Sequence, residues 1–354
     1  MRRKMLIVLA LLTCLGLFAP SGNAQSFDIV KVADGVYAAV GRAGVASNGA
    51  FIVNQDDVLV VDTHFRPSWA KDLIAEIRKV TNKPVRYVVN THWHNDHVQG
   101  NQAYLSVFGN GVEYIAQHAA REDMVSKAIP SVQDQLTKDV PDRIARTEKM
   151  LAEGKGPDGA PLTDQGKANL ATRLTSDKAY LEELKSIQIT LPTITFERSL
   201  VLHKPGRTIH VLFFGKGHTR GDVVVYLPKE KVVITGDLVT NGIPFMRDAY
   251  PSQWVGTLDS VRNLDWDTAV TGHGPVQTGK EQVDKLLAYM KDMVAAVKEA
   301  VGKGLTMEDT SKTIDLSKHQ AAFPAYATSP QGYSAASKSA VERTWVELTG
   351  KIPN

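Results

Sequence analysis

The segment Thr91-His92-Trp93-His94-Asn95-Asp96-His97 gathers three imidazoles and a carboxylate into a few residues at the end of an apolar run. Neutral imidazole nitrogen and carboxylate oxygen are ligands that suit zinc. The i, i+2 spacing of His92 and His94 sends both side chains from an extended loop towards one point. Asp96 and His97, on the following turn, reach a second point nearby. Three further residues stand at the C-terminal ends of apolar runs beside glycines that permit close backbone approach: His218 in Gly215-Lys216-Gly217-His218, Asp237 after Val232-Val233-Ile234-Thr235-Gly236, and His273 in Gly272-His273-Gly274. The set predicts two Zn2+ per chain. Two divalent ions about 3.5–4 Å apart hold a bridging hydroxide that attacks a carbonyl or phosphoryl centre. Asp96 and Asp237 are the candidate catalytic residues, Asp96 orienting the water besides ligating. No serine or cysteine with a partner is evident as a nucleophile.

Such ligands need strands ending at one edge. Short strand patterns cover residues 27–32 and 36–40 around an Asp34-Gly35 turn, and 50–53 and 58–61 around Asp56-Asp57. Ser68 is placed to cap a helix with Leu73, Ile77 and Val80 on one face. The run 85–89 leads straight into Asn90-Thr91-His92. Residues 120–187 differ: two helical patterns flank a Gly/Pro-rich break at 154–161, which reads as a helical hairpin inserted between the two halves of the domain, either as packing or as a wall beside the site. Strands resume at 194–202, 209–214, 223–227, 232–235 and 268–270. Thr278-x-x-Glu281 has the form of a capping box opening a long helix with Val283, Leu286, Met290, Val294, Val297 and Val301 in phase. Residues 305–354 read as further short helices, a C-terminal extension to a domain covering 25–304.

The first 24 residues read as a signal peptide: basic Arg2, Arg3 and Lys4, an apolar run from Met5 to Ala19, and a cleavage site ending Gly22-Asn23-Ala24. The run is shorter than the roughly 20 residues of a membrane span, so no stable membrane anchor is expected after cleavage, and the location is periplasmic or secreted. The 41 Lys and Arg include those three, so cleavage leaves 38 bases against 38 acids. A balanced surface argues against nucleic acid and for a small-molecule substrate. The single cysteine, Cys14, leaves with the signal, so the metal site must be built without thiolate. Nothing in the composition fixes the oligomeric state.

These motifs, in this order across residues 50–275, resemble the metallo-β-lactamase superfamily. The resemblance implies an α/β fold, an αββα sandwich with the metals at one edge of the two sheets. It assigns His92, His94 and His218 to one metal and Asp96, His97 and His273 to the other, with Asp237 bridging. Asp62, in Val60-Val61-Asp62-Thr63, would steady the ligand loop from behind. The penicillin-hydrolysing subgroup carries cysteine at the place of Asp237 and a lysine three residues on, where this chain has Thr240. Asp237 matches instead the thioester, lactone and phosphoester hydrolases of the superfamily, although Gly217-His218-Thr219 with Asp222–Pro228 also resembles the lactamases. Trp93, Lys216, Arg220, Asn241 and Arg247 are candidate substrate contacts. His64, His118, His203, His210 and His319 are assigned structural roles. The expected activity is a dinuclear zinc hydrolase of an ester, thioester, lactone, lactam or phosphodiester. Alternatives are β-lactam hydrolysis, a mononuclear iron persulfide dioxygenase, and a non-catalytic periplasmic metal accessory protein.

Overall fold

A computed structural model describes residues 26–42 and 47–351; the signal-peptide reading and Cys14 lie outside them. Seven strands form one sheet in sequential order: β1 (Phe27–Ala33), β2 (Val36–Gly41), β3 (Gly49–Val53), β4 (Val58–Val61), β5 (Val85–Val89), β6 (Glu113–Gln117) and β7 (Ile194–Phe196). The first four pair antiparallel, and β4 to β7 run parallel. The second sheet holds β8 (Ser199–Lys204), β9 (Arg207–Leu212), β10 (Val224–Leu227), β11 (Val232–Gly236), β12 (Thr268–Thr271) and β13 (Gln277–Thr278), ordered β13-β12-β11-β10-β9-β8. Its inner pair β11–β12 is parallel. The chain therefore changes sheets between Phe196 and Ser199, and the apolar stretch 194–202 is two strands rather than one.

The helices are α1 (Pro67–Val80), α2 (Asn95–Val98), α3 (Asn101–Phe108), α4 (His118–Asp123), α5 (Ile129–Asp134), α6 (Val140–Glu153), α7 (Asp164–Leu184), α8 (Pro251–Asn263), α9 (Glu281–Gly302), α10 (Met307–Thr313) and α11 (Pro330–Thr349). Three apolar layers hold the αββα sandwich together. Ile52, Leu59, Val61 and Val89 of the first sheet meet Val211, Val225, Val232 and Ile234 of the second. The outer face of the first sheet packs Val58, Val60 and Val88 on Leu73, Ile77 and Tyr104. The outer face of the second packs Val224, Val233 and Ala269 on Trp254, Met290 and Val341. Strands buried on both faces read as continuous Val/Ile runs, which is why 58–61 and 232–234 show no alternation.

The structure corrects several local expectations. Helix α1 begins at Pro67 after Arg66, and the Ser68 hydroxyl donates instead to Glu183 Oε1 at 2.9 Å. Helix α9 has no side-chain cap; Lys280 is its N-cap and Thr278 ends β13. The insertion lies between β6 and β7, within the first sheet's half rather than between the two halves. Its first arm is nearly continuous: α4, α5 and α6 are joined by π-turns at Met124–Ala128 and Gln135–Asp139. Gly154, with φ 65°, ends α6 and turns the chain towards α7. In the C-terminal segment α11 is 20 residues long, and its Tyr333, Ala340 and Val341 enter the same core as α8 and α9.

Candidate metal centre

Parallel strands deliver the ligand loops to one edge. Asp62 follows β4, His92 follows its neighbour β5, Asp237 follows β11 and His273 follows the neighbouring β12. Loops at the carboxyl ends of adjacent parallel strands converge by geometry alone. The two sheets are tied at this edge by Asn48, whose side-chain amide donates to the Thr271 and Gly274 carbonyls at 2.9 and 2.7 Å. Gly272 is obligatory in the close packing behind Asp237: a Cβ there would stand 1.9 Å from Asp237 Oδ1.

His92, His94 and His218 place one ring nitrogen each within a common 4.8 Å; Asp96, His97 and His273 do the same with their ligand atoms, and so do His92, His97 and Asp237. In the first group His94 Nδ1 faces His92 Nε2 at 3.2 Å and His218 Nε2 at 2.9 Å. In the second, Asp96 Oδ2 lies 3.4 Å from both His97 Nε2 and His273 Nε2. Asp237 reaches both groups: Oδ2 is 3.5 Å from His218 Nε2 and 3.2 Å from His273 Nε2, and Oδ1 is 3.4 Å from His97 Nε2. The structure thus brings all seven ligand candidates to one place, in two groups that share Asp237.

The electrostatics fit cations. Burial holds His92 well below the ordinary imidazole range and His218 at about 3, so both are neutral with a lone pair to give. His273 behaves oppositely: against burial, the carboxylates of Asp237 and Asp96 push it up to about 10, and His97 is likewise raised against burial by Asp96, Asp62 and Asp237. The carboxylates around His97 and His273 thus favour positive charge at this position. His97 Nε2 and Asp237 Oδ1 are buried without a hydrogen-bond partner among the described residues. Buried polar atoms are rarely left so, and ligation of an ion would satisfy both.

The non-ligating nitrogens are held from behind. Asp62, at φ 60°, accepts from the Thr91 N–H at 2.8 Å and the Thr91 hydroxyl at 2.7 Å, and its Oδ2 also accepts from His97 Nδ1 at 2.8 Å. Asp248 Oδ2 stands 3.1 Å from His94 Nε2. Thr219 is locked by Asp222, which accepts from its N–H and its hydroxyl at 2.8 Å each, fixing the His218 turn. In the sequence Asp248 has no assigned role, and Asp222 enters only as the start of the lactamase-like stretch Asp222–Pro228. A lone acid in Arg247-Asp248-Ala249 has no motif spacing, whereas Thr219-Arg220-Gly221-Asp222 has the form of a side-chain-stabilised turn that could have been noticed.

The ligands open into a cleft of about 770 Å³. Of the candidate substrate contacts, Trp93 and Arg247 line it, together with Phe245 and Asp248; the insertion contributes Lys127, Ser131, Asp134, Lys138 and Asp139. The insertion is therefore a wall of the site. Three expected contacts lie elsewhere. Lys216 Nζ sits over the Tyr250 ring at 4.6 Å. Arg220 is engaged by Asp123 and Glu122, each at 2.9 Å. Asn241 packs behind the His273 loop, with its side chain where a Gly274 Cβ would fall. His64, buried beneath the ligand loop, stacks against Phe27 with ring centroids 4.3 Å apart.

The family model of the metallo-β-lactamase superfamily matches residues 42–273, and the chain belongs to that superfamily. It is 25% identical over 288 residues to a linear primary-alkylsulfatase from a Pseudomonas species, covering 77% of this chain and 50% of that one. To a type 2 metallo-β-lactamase from Bacteroides fragilis it is 23% identical over 263 residues, covering 71% of this chain and 80% of that one. The chain spans about half the length of the alkylsulfatase relatives it matches, 50% and 44%. Among solved structures, a metallo-β-lactamase from Pontibacter korlensis superposes with a TM-score of 0.53 at 18% identity, covering 75% of this chain and 99% of that one. The metallo-β-lactamase FIM-1 from Pseudomonas aeruginosa, in a mono-zinc form, gives 0.51 at 18% identity, over 75% and 94%. These likenesses support the sandwich fold read from the order of the motifs.

Proposed function

We propose that the chain is a zinc-dependent hydrolase with a dinuclear centre, held by His92, His94 and His218 on one side, Asp96, His97 and His273 on the other, and Asp237 between. The sharing of Asp237 by two groups of donors carries this reading, because a single-ion site would leave one group without a purpose. When bound, the ions supply Lewis acidity, acidifying water and polarising the group under attack.

The protein does the rest. Asp62 and Asp248 fix the imidazoles of His97 and His94, each through the nitrogen that faces away from the centre. Asp96 and Asp237, both held well below the ordinary carboxylate range by the neighbouring imidazoles despite burial, stay ionised and offer charge to the cations. Trp93 and the exposed Phe245, whose ring lies 5.9 Å from that of His94, form an apolar boundary beside the reacting position. Lys127, Lys138 and Arg247 line the walls together with Asp134, Asp139 and Asp248, so charges of both signs face the cleft.

An electrophilic ester-type centre with an apolar portion suits such a cleft. The names of the relatives, an alkylsulfatase and β-lactamases, extend the substrate panel to sulfate esters and lactams. Metal analysis combined with a panel of carboxylic, thio-, phosphate and sulfate esters, lactones and a cephalosporin reporter tests the proposal. Two zinc ions per chain and turnover that disappears in Asp237→Ala and His94→Ala are expected. One iron per chain with oxygen uptake on a persulfide would replace the hydrolase by the oxygenase reading, and a zinc-loaded protein inert across the panel would favour the accessory role.

A further inference from the structure

We propose that the insertion belongs to the scaffold of the three-histidine group and acts on it through Lys127, a positioning residue. The inference rests on the metal reading of His92, His94 and His218. Lys127 lies in the first π-turn of the insertion, 3.3 Å from Asp123 Oδ1 and 3.9 Å from Asp248 Oδ1, with its ammonium 5.0 Å above the Trp93 ring. Asp248 turns its other oxygen to His94 Nε2. Asp123, whose side chain is only 2% exposed, also receives Arg220 Nε at 2.9 Å. Arg220 in turn stands two residues beyond His218.

One continuous line of alternating charge therefore runs from the His218 turn through Arg220, Asp123, Lys127 and Asp248 to His94. Both of its ends lie at ligands of the same group. Lys127 is 40% exposed, yet its ammonium is placed between the carboxylates of Asp123 and Asp248. A buried carboxylate is costly unless cations compensate it, and Asp123 has two, drawn from separate segments. Packing supports the link independently: a Cβ at Gly221 would stand 2.5 Å from the Ala120 nitrogen, so α4 lies directly on the loop that carries His218. Lys127 orients Asp248, and Asp248 holds the His94 ring with Nδ1 facing His92 and His218.

The test measures metal binding by competitive zinc titration and the visible spectrum of the Co2+-substituted protein, with kcat and KM on whichever substrate the panel yields. Lys127→Met is expected to weaken one of two zinc positions by about 10-fold, within the range for groups that orient ligands. It should also alter the cobalt spectrum and lower kcat more than it raises KM. Lys127→Arg should restore all three, and Lys149→Met, elsewhere on the insertion, should leave the zinc titration as in wild type. If Lys127→Met does not fold, Arg220→Gln cuts the same line at its other end and should weaken the same position. Wild-type zinc affinity and cobalt spectrum in Lys127→Met, or in Arg220→Gln where that stands in, overturn the inference while the hydrolase reading stands. Failure of the wild-type chain to take up zinc defeats both.

Discussion

Asp62 Oδ2 accepts hydrogen bonds from both His97 Nδ1 and the Thr91 hydroxyl, so one carboxylate sets the orientation of a ligand and the turn that carries its neighbours. Asp62→Ala is expected to lower zinc affinity about 10–100-fold. Asp62→Asn keeps the shape and loses the charge, and its loss should be smaller. Dialysis against graded chelator, followed by elemental analysis, orders the three proteins.

Metal uptake should release protons unequally from the two groups. His273 at about 10 and the raised His97 hold protons at neutral pH that a cation must displace, whereas His92 and His218, the latter at about 3, hold none. Affinity at the Asp96, His97 and His273 group should therefore rise with pH, by up to ~10-fold per unit for each proton displaced. His92 and His218 should contribute little to any such change. Calorimetric titration in buffers of different ionisation enthalpy counts the protons, and equal release in both steps would contradict the assignment.

Gly272→Ala should damage the centre without touching a ligand. Its Cβ would overlap Asp237 Oδ1, and neither the Gly236 backbone nor the Asp237 nitrogen behind it can yield. Overpacking of this kind costs about 1–3 kcal/mol. A lowered melting temperature and loss of metal together are the expected result, measured by calorimetry and elemental analysis.

Phe245 is 59% exposed beside His94, an unusual place to leave a large apolar ring in water. If it covers the apolar part of a substrate, Phe245→Ala should raise KM roughly 10-fold for long-chain or aryl esters. Short-chain esters should be little affected, and kcat nearly unchanged. A uniform loss across chain lengths would assign the ring to folding of its loop instead.

The convergence of the seven His and Asp residues was legible in the sequence because their types are scarce and clustered, and because most follow a Val-rich run whose burial is itself plain. What escaped depends on contacts between distant segments. Arg220 and Lys216 read as candidate substrate contacts, yet Asp123 and the Tyr250 ring engage them, and no spacing announces such pairs. Strand β6 was missed because Glu113-Tyr114-Ile115-Ala116-Gln117 is short and mixed; the Gly109-Asn110-Gly111 turn before it was the available signal. The sheet change near Glu197-Arg198 is invisible in a pattern that keeps the same period on both sides. Asp248 gains its role only when the loop after β11 folds back over His94.

The ligands come from both sheets: five of the cluster's supports and donors follow β4 and β5, while His218, Asp237 and His273 come from the second sheet. A cation bound there would act as a rivet through the open edge of the sandwich. The melting temperature should then climb with free zinc, because ligand bound only to the native state adds RT ln(1 + [L]/Kd) to its stability. Chelation should lower it and make the loops around His92 and His218 the first to be cut by protease. The lifetime of the folded chain would be governed by the metal supply of its surroundings, so the same residues that equip it for catalysis would also meter how long it survives where zinc is scarce.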